Sequence, residues 1–417
     1  MKPITNMLDI PLIHYSIHEV VDRRLSTRII LPLIYSFIVI YLIMNSGVVY
    51  RLYLSTIPVL GDLHAPIILV ADQLSIIFLV VITLLYFKVA LTGVDKFKYI
   101  ILSMLSINCL SMDLLLSQII LFVIVIYMFH KKEYRDVGKL LLISPALFTL
   151  GYILTNSINI GVLLYNYSFQ NVDKQVLGLG LYTYLINYIY VSWLSIELKP
   201  LFRDHWLHNE DLDLYLQLYS LPLLLRLNPF LGLLCNDSHY RLYLYTAILL
   251  ASVNILYNTI KTIETNVNQY VTAYDYSYLA FLLPLYTPLS IYTMILQLLV
   301  NAIYRVLPCI KRVNFSKAIL FSKIGLFPLP GFIVKILTIY VVYTVIGFIG
   351  IILPLISIVF THFNYYNQVK TTYHQYTPQY LFLTSILLII LLFTPYIIDI
   401  GVELLFLRRY YSYVFGV

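Results

Sequence analysis

Apolar residues run along this chain in long blocks, and short polar or proline-bearing stretches punctuate them. The blocks fall at roughly 29–48, 72–87, 99–112, 114–129, 140–164, 177–198, 213–234, 242–260, 273–288 and 289–304, then near 318–345, 347–366 and 381–403. A helix needs ~20 mostly apolar residues to cross the hydrocarbon core of a bilayer. The pattern therefore predicts an all-α, polytopic membrane helix bundle of about 13 spans. Short blocks such as 99–112 must borrow flanking residues or sit deep in the bundle. A mixed segment, 1–27, precedes one transmembrane domain over 28–405, and a short tail, 406–417, follows it.

One block is interrupted from within. Gly325-Leu326-Phe327-Pro328-Leu329-Pro330-Gly331-Phe332-Ile333-Val334-Lys335 opens the run ILTIYVVYTVIGFIG. Proline removes backbone donors and glycine loosens the helix, so such a break in lipid must be buried in protein or line a wet cavity. A lysine within a membrane helix is costly and marks function by default. Pro328, Pro330, Gly331 and Lys335 thus predict a broken helix near 318–345 carrying a titratable cation, a part suited to ion translocation. The structural alternative is a helix cap whose lysine snorkels to the interface.

Composition agrees with the pattern. The chain has 417 residues, 60% hydrophobic and 11% charged, too few charges for a soluble domain of that length. Cys109, Cys235 and Cys309 lie in or beside apolar blocks without paired or metal-ligand spacing. No Gly-rich nucleotide loop is present. With thirteen spans, 18 of the 27 basic residues fall on the side of the N-terminus and 5 on the other. That bias places the N-terminal side in the cytoplasm or a matrix. The net charge of +7 then reflects basic loops beside spans and calls for no nucleic acid.

The ionisable residues within spans are the candidates for chemistry. Besides Lys335 they are Lys323, twelve residues earlier, Arg226 in LPLLLRLNPFLGLL, and Glu197 with Lys199 closing VSWLSIELKP. Asp72 and Asp113 begin two blocks and read as helix caps. Glu197 and Lys199 read equally as an interfacial ion pair. Arg226 has apolar neighbours on both sides, so it is expected to pair with Glu197 or another acid. A guanidinium keeps its charge at any accessible pH, so it holds a carboxylate or water rather than relaying protons. A lysine can release its proton, because burial penalises the charged form, and Lys323 is the expected like-charge neighbour of Lys335.

These residues carry a resemblance. Gly325–Lys335 resembles the broken twelfth helix of subunit 2 of the respiratory NADH:ubiquinone oxidoreductase, where G-x-P-P-L-x-G-F-x-x-K carries the channel lysine. IVFTHFNYYNQVK (358–370) is similar to the next helix of that family. VTAYDYSYLAF (271–281), LRLNP (225–229), CLSMDLLLSQIILF (109–122) and ADQLSIIF (71–78) resemble its tenth, eighth, fifth and third helices. The likeness covers about 70–405, with its pieces in the family's order. The departures are specific. The family's fifth-helix glutamate falls at Phe122, its eighth-helix lysine at Arg226, its seventh-helix lysine at Glu197 beside Lys199, and its histidine near Leu279. The family has fourteen helices, so thirteen implies loss of the first and an N-terminus in the matrix.

The resemblance implies a core membrane-arm subunit of a proton-translocating NADH:ubiquinone reductase in the mitochondrial inner membrane. Such a subunit would contribute a proton channel, weakened by the missing acid, through Lys335, Arg226, Glu197, Lys199 and Lys323. It would bind no cofactor itself, since FMN, iron–sulfur clusters and ubiquinone sit elsewhere in that complex. Its partners would be other membrane-arm subunits and lipids such as cardiolipin. Forty tyrosines, more than two interfacial belts require, fit AT-rich coding in an organelle genome. Neither a signal peptide nor an Arg/Ser-rich transit peptide opens the chain, as synthesis inside the organelle would explain. Two other readings stand beside this one: a structural spacer that no longer pumps, and a free-standing cation/proton antiporter of the same fold.

Overall fold

The computed structural model describes residues 25–45, 50–59, 63–92, 96–130, 135–163, 174–201, 212–235, 287–309 and 316–348, with short helical pieces between 351 and 359 and at 382–388. The expected spans at 242–260 and 273–286, most of 347–366 and 389–403, Leu279, and both termini lie outside the described residues. Two compact units divide the chain. Unit 1 takes Met1–Ser192, Asp211–Phe230 and Phe406–Val417, and unit 2 takes Trp193–Glu210 and Leu231–Leu405.

Unit 1 begins with α1 (Leu25–Met44) and then departs from an all-α plan. Strands β1 (Tyr50–Val59) and β2 (Leu63–Ala71) form an antiparallel hairpin that runs from Tyr50 opposite Ala71 to Val59 opposite Leu63, with a one-residue shift of register between Tyr53 and Thr56. Among the described residues the chain is thus mainly helical with one β-hairpin. Its local signal is two runs rich in aromatic and β-branched residues around Leu60-Gly61-Asp62. Pro58 and Pro66 do not forbid it, because a two-stranded ribbon consists of edges, where proline is tolerated. The open end of the hairpin packs Tyr50, Leu69 and Ala71 against Val39 and Leu42 of α1, and against residues of the two helices that follow.

Those helices are α2 (Gln73–Thr92) and α3 (Lys96–Leu110), followed by α4 (Leu114–His130). Between α3 and α4 the backbone runs extended and is held on both sides. Met112 donates to Ile68 O at 3.0 Å, Leu114 to Ile158 O at 2.8 Å, and Met112 O accepts from Ile160 at 3.0 Å. The block at 140–164 splits into α5 (Arg135–Leu141), α6 (Ile143–Thr155) and a turn of helix at 160–163. The stop is local: Asn156 takes the left-handed conformation (φ 49°) that asparagine tolerates, and its N–H donates to Tyr152 O. Helices α7 (Lys174–Leu201) and α8 (Leu212–Cys235) follow.

The tyrosine excess finds a physical use inside this unit. Tyr86, Tyr184, Tyr188 and Tyr219 are among the largest fully buried side chains. Tyr86 shares a hydrogen bond of 2.9 Å with Ser103, and Tyr184 donates to Ser157 O at 2.8 Å. Tyr86, Tyr184 and Tyr219 act as large apolar fillers whose one polar atom finds a partner, the last accepting from Gln118, whereas the buried Tyr188 hydroxyl has no hydrogen-bond partner among the described residues.

Unit 2 is described through α9 (Pro288–Val306), a 3-10 turn at Leu307–Cys309, α10 (Ser316–Ile324) and α11 (Pro330–Ile346). Thr287 caps α9 in a reciprocal pair with Ser290, and Pro288 occupies the position where a missing N–H costs nothing. Arg305 lies in the last turn of α9 and is buried. Among the described residues, three helical stretches are long and apolar enough to cross a membrane: Gln73–Thr92, Gly138–Thr155 and Pro288–Cys309. The protein is a membrane protein.

Candidate functional site

The interrupted block of unit 2 forms two helices, α10 and α11, joined by residues 325–329. Helix α10 ends in a glycine-terminated cap of regular form. Gly325 sits at φ 91°, its N–H donates to Ser322 O at 2.9 Å, and Leu326 N–H donates to Phe321 O at 3.1 Å. An L side chain would be strained at that φ. Pro330 opens α11, where its missing donor would have had no partner.

Two tight approaches hold the pieces together. A Cβ added to Gly331 would fall 1.8 Å from the Ser322 carbonyl oxygen, so the backbones cross there only because Gly331 has no side chain. A Cβ on Gly325 would fall 2.9 Å from Lys335 Cδ, which shows the lysine lying back across the break. The Lys335 ammonium donates to the Lys323 carbonyl. That carbonyl is one of those the α10 cap leaves open, at the negative end of the helix. Lys323 therefore meets Lys335 through its backbone oxygen. Lys335 is buried, one turn into α11, and Pro328 lies exposed in the connection.

In unit 1 the buried cation is Arg226, with 0% of its surface exposed. Its partner acid is Asp72: Nη2 lies 3.1 Å from Asp72 Oδ1. The same nitrogen donates to Ser75 Oγ at 2.6 Å, and Nη1 donates to Ser111 O at 2.6 Å. Asp72 also caps α2, accepting the Ser75 N–H at 2.8 Å on the oxygen that meets Arg226. The side chains of Glu197 and Lys199, on α7, lie outside the described residues. One arginine thus ties α8 to the start of α2 and to the extended segment between α3 and α4. Asp113 caps α4, accepting from Leu115 and Leu116 at 2.9 and 3.1 Å.

A neutral polar cluster lies in the same unit. Gln118 of α4 donates to the Tyr219 hydroxyl at 3.2 Å, and Ser144 stands 3.3 Å from Gln118 Oε1 and 2.5 Å from Asn187 Oδ1. Asn108 donates to Tyr219 O at 2.7 Å. Phe122, matched above to the family's glutamate, is 43% exposed beside Ile119 and Ile126 on the outer stripe of α4. The inward polar residues of that helix are Ser117 and Gln118, and Gln118 is the one that reaches across to other helices. Counting nine residues from Asp113 missed it, because a fixed count carries no information about which helix face is covered. The rule that an interior amide needs partners from other helices would have pointed to it.

No protein-family model matches the chain, and no curated protein matches it by sequence. Solved structures do match. A chain of the membrane-bound sulfane sulfur reductase, an archaeal respiratory membrane complex, aligns with a TM-score of 0.69 at 13% identity, over 98% of this chain and 99% of that one. A chain of respiratory complex I from Thermus thermophilus with bound NADH aligns with a TM-score of 0.69 at 14% identity, over 96% and 99%. A chain of the Mrp complex from Dietzia sp. DQ12-45-1b aligns at 0.65 and 13%, over 86% and 77%. The fold is that of the antiporter-like membrane subunits of such complexes.

Proposed function

We propose that the chain is a membrane-arm subunit of a proton-translocating NADH:ubiquinone oxidoreductase, most like subunit 2 of the mitochondrial complex, with Lys335 as its proton-carrying group. The observation that carries this reading is the lysine itself. It is buried at a helix break, and its ammonium rests on the open carbonyl end of α10. A broken helix whose carbonyl end faces a cation is an ion site in membrane transporters generally. A neutral amine still has protons to donate to Lys323 O, so releasing one proton does not require giving up the contact. Arg226 serves as a fixed charge, because a guanidinium does not deprotonate and Asp72 already holds it. Glu197, Lys199 and Lys323 complete the proposed polar path.

The reading extends to thirteen spans, an N-terminus in the matrix, and residence in the mitochondrial inner membrane. The other membrane-arm subunits and cardiolipin-like lipids would be the partners, with no nucleic acid and no cofactor of its own. The test is Lys335→Met in the assembled complex. Methionine nearly keeps the length and volume, so packing loss should stay under ~1.5 kcal/mol. A fall in protons moved per NADH oxidised, with assembly intact, is the expected result. An unchanged ratio decides for a structural spacer, a reading favoured by the uncharged Gln118–Ser144–Asn187 cluster in unit 1. Purification of the chain alone, active in cation/proton exchange, would decide for a free-standing antiporter.

A further inference from the structure

We infer that Ser322, oriented by Tyr304, is a positioning residue for Lys335, an assignment that rests on the proton-carrying reading of that lysine. Ser322 lies in the last turn of α10, and its side chain is fully buried. Its hydroxyl accepts the Gly331 N–H at 3.0 Å and shares a hydrogen bond with the Tyr304 hydroxyl, which arrives from α9. Gly331 is in the first turn of α11, so its N–H is one of the donors that a helix start leaves without an intrahelical partner. The hydroxyl satisfies that donor where the two backbones come closest, with the Ser322 carbonyl occupying the space a Gly331 side chain would need.

The consequence for Lys335 follows from helical spacing. Gly331 and Lys335 are four residues apart, hence on one face, one turn apart. Ser322 is adjacent to Lys323, whose carbonyl receives the Lys335 ammonium. The link from Ser322 to Gly331 therefore fixes the distance between the lysine's own turn and the carbonyl it rests on. Tyr304 completes it from a third helix, and its phenol is itself buried. Without the Ser322 hydroxyl, Gly331 keeps its close fit but loses the polar bond that holds α11 in register with α10. The ammonium and the Lys323 carbonyl can then drift apart. Neither Ser322 nor Tyr304 has to bind or release the proton. They set where Lys335 does so.

The experiment uses the assembled complex in its membrane and compares Ser322→Ala, Tyr304→Phe, Lys335→Met and the Ser322→Ala/Lys335→Met double variant. Tyr304→Phe removes one oxygen and nearly keeps the shape, so it covers the case in which Ser322→Ala fails to assemble. The expected result is that each of the first two loses at least half of what Lys335→Met loses in protons moved per NADH oxidised, and shifts the pH profile of that ratio. The double variant should lose no more than Lys335→Met alone, because groups acting through one another are not additive. Ser322→Thr, which keeps the hydroxyl, should restore both readouts. If Lys335→Met lowers the ratio while Ser322→Ala and Tyr304→Phe leave ratio and pH profile unchanged, the positioning role is overturned and the lysine reading stands. If Lys335→Met changes nothing, the lysine reading falls and takes this role with it.

Discussion

Replacing Asp72 by asparagine tests the buried pair of unit 1 most directly. Asparagine keeps the size of the side chain and one oxygen, so the α2 cap and the neighbours of Asp72 stay largely in place. What disappears is the negative charge 3.1 Å from Arg226 Nη2. At an effective dielectric of about 20, two unit charges at that separation attract by about 5 kcal/mol. Breaking a buried pair by removing one partner costs roughly 3–5 kcal/mol, because the remaining ion is left uncompensated. Arg226 is fully buried, and its contacts with Ser75 Oγ and Ser111 O carry no compensating charge, so a loss within that range is expected. Such a loss takes much of the stability of an ordinary domain, ~5–15 kcal/mol. The assay is the thermal stability and yield of the assembly purified from membranes. Asp72→Asn should lower both sharply, whereas Asp72→Leu combined with Arg226→Met should cost less than Asp72→Asn alone, since an apolar pair needs no desolvation. An Asp72→Asn protein as stable as the parent, within ~0.5 kcal/mol, would show that the pair does not secure α8 to the start of α2.

Three further outcomes are expected. Gly331→Ala places a methyl carbon 1.8 Å from the Ser322 carbonyl oxygen, so it should cost at least ~2 kcal/mol or prevent assembly, while Gly347→Ala, which meets no atom within 4 Å, should cost only its backbone strain; equal thermal shifts for the two would refute the close crossing of α10 and α11. Asp113→Ala removes both acceptor bonds at the start of α4 and should destabilise by ~0.5–2 kcal/mol, measured as a lowered melting temperature. Protease or thiol labelling of sealed membranes should find the connections between α4 and α5 (131–134) and between α9 and α10 (310–315) on one face, and finding them on opposite faces would sink the thirteen-span topology.

The sequence by itself determined the class of protein and the position of the break. Apolar blocks of spanning length are a local property, and the observed α2, α3, α4, α7, α8 and α9 begin and end within a few residues of the blocks that predicted them. The break was legible because Gly325, Pro328, Pro330 and Gly331 restrict the backbone whatever surrounds them. The hairpin at 50–71 carried a local signal too, but within so apolar a chain its strands had no contrast against the helical blocks.

Tertiary structure alone decided the partners. Arg226 lies 154 residues from Asp72, and nothing in the one-dimensional pattern distinguishes that aspartate, which also caps a helix, from Asp113, which only caps. Gln118, Ser144 and Asn187 are three ordinary polar residues until α4, α6 and α7 bring them within hydrogen-bonding distance. Lys335 reads from sequence as a titratable cation at a helix break, with Lys323 twelve residues earlier. The fold turns it back onto the Lys323 carbonyl, because a helix end buried inside protein must find a donor for its last oxygens and a lysine four residues past Gly331 reaches them.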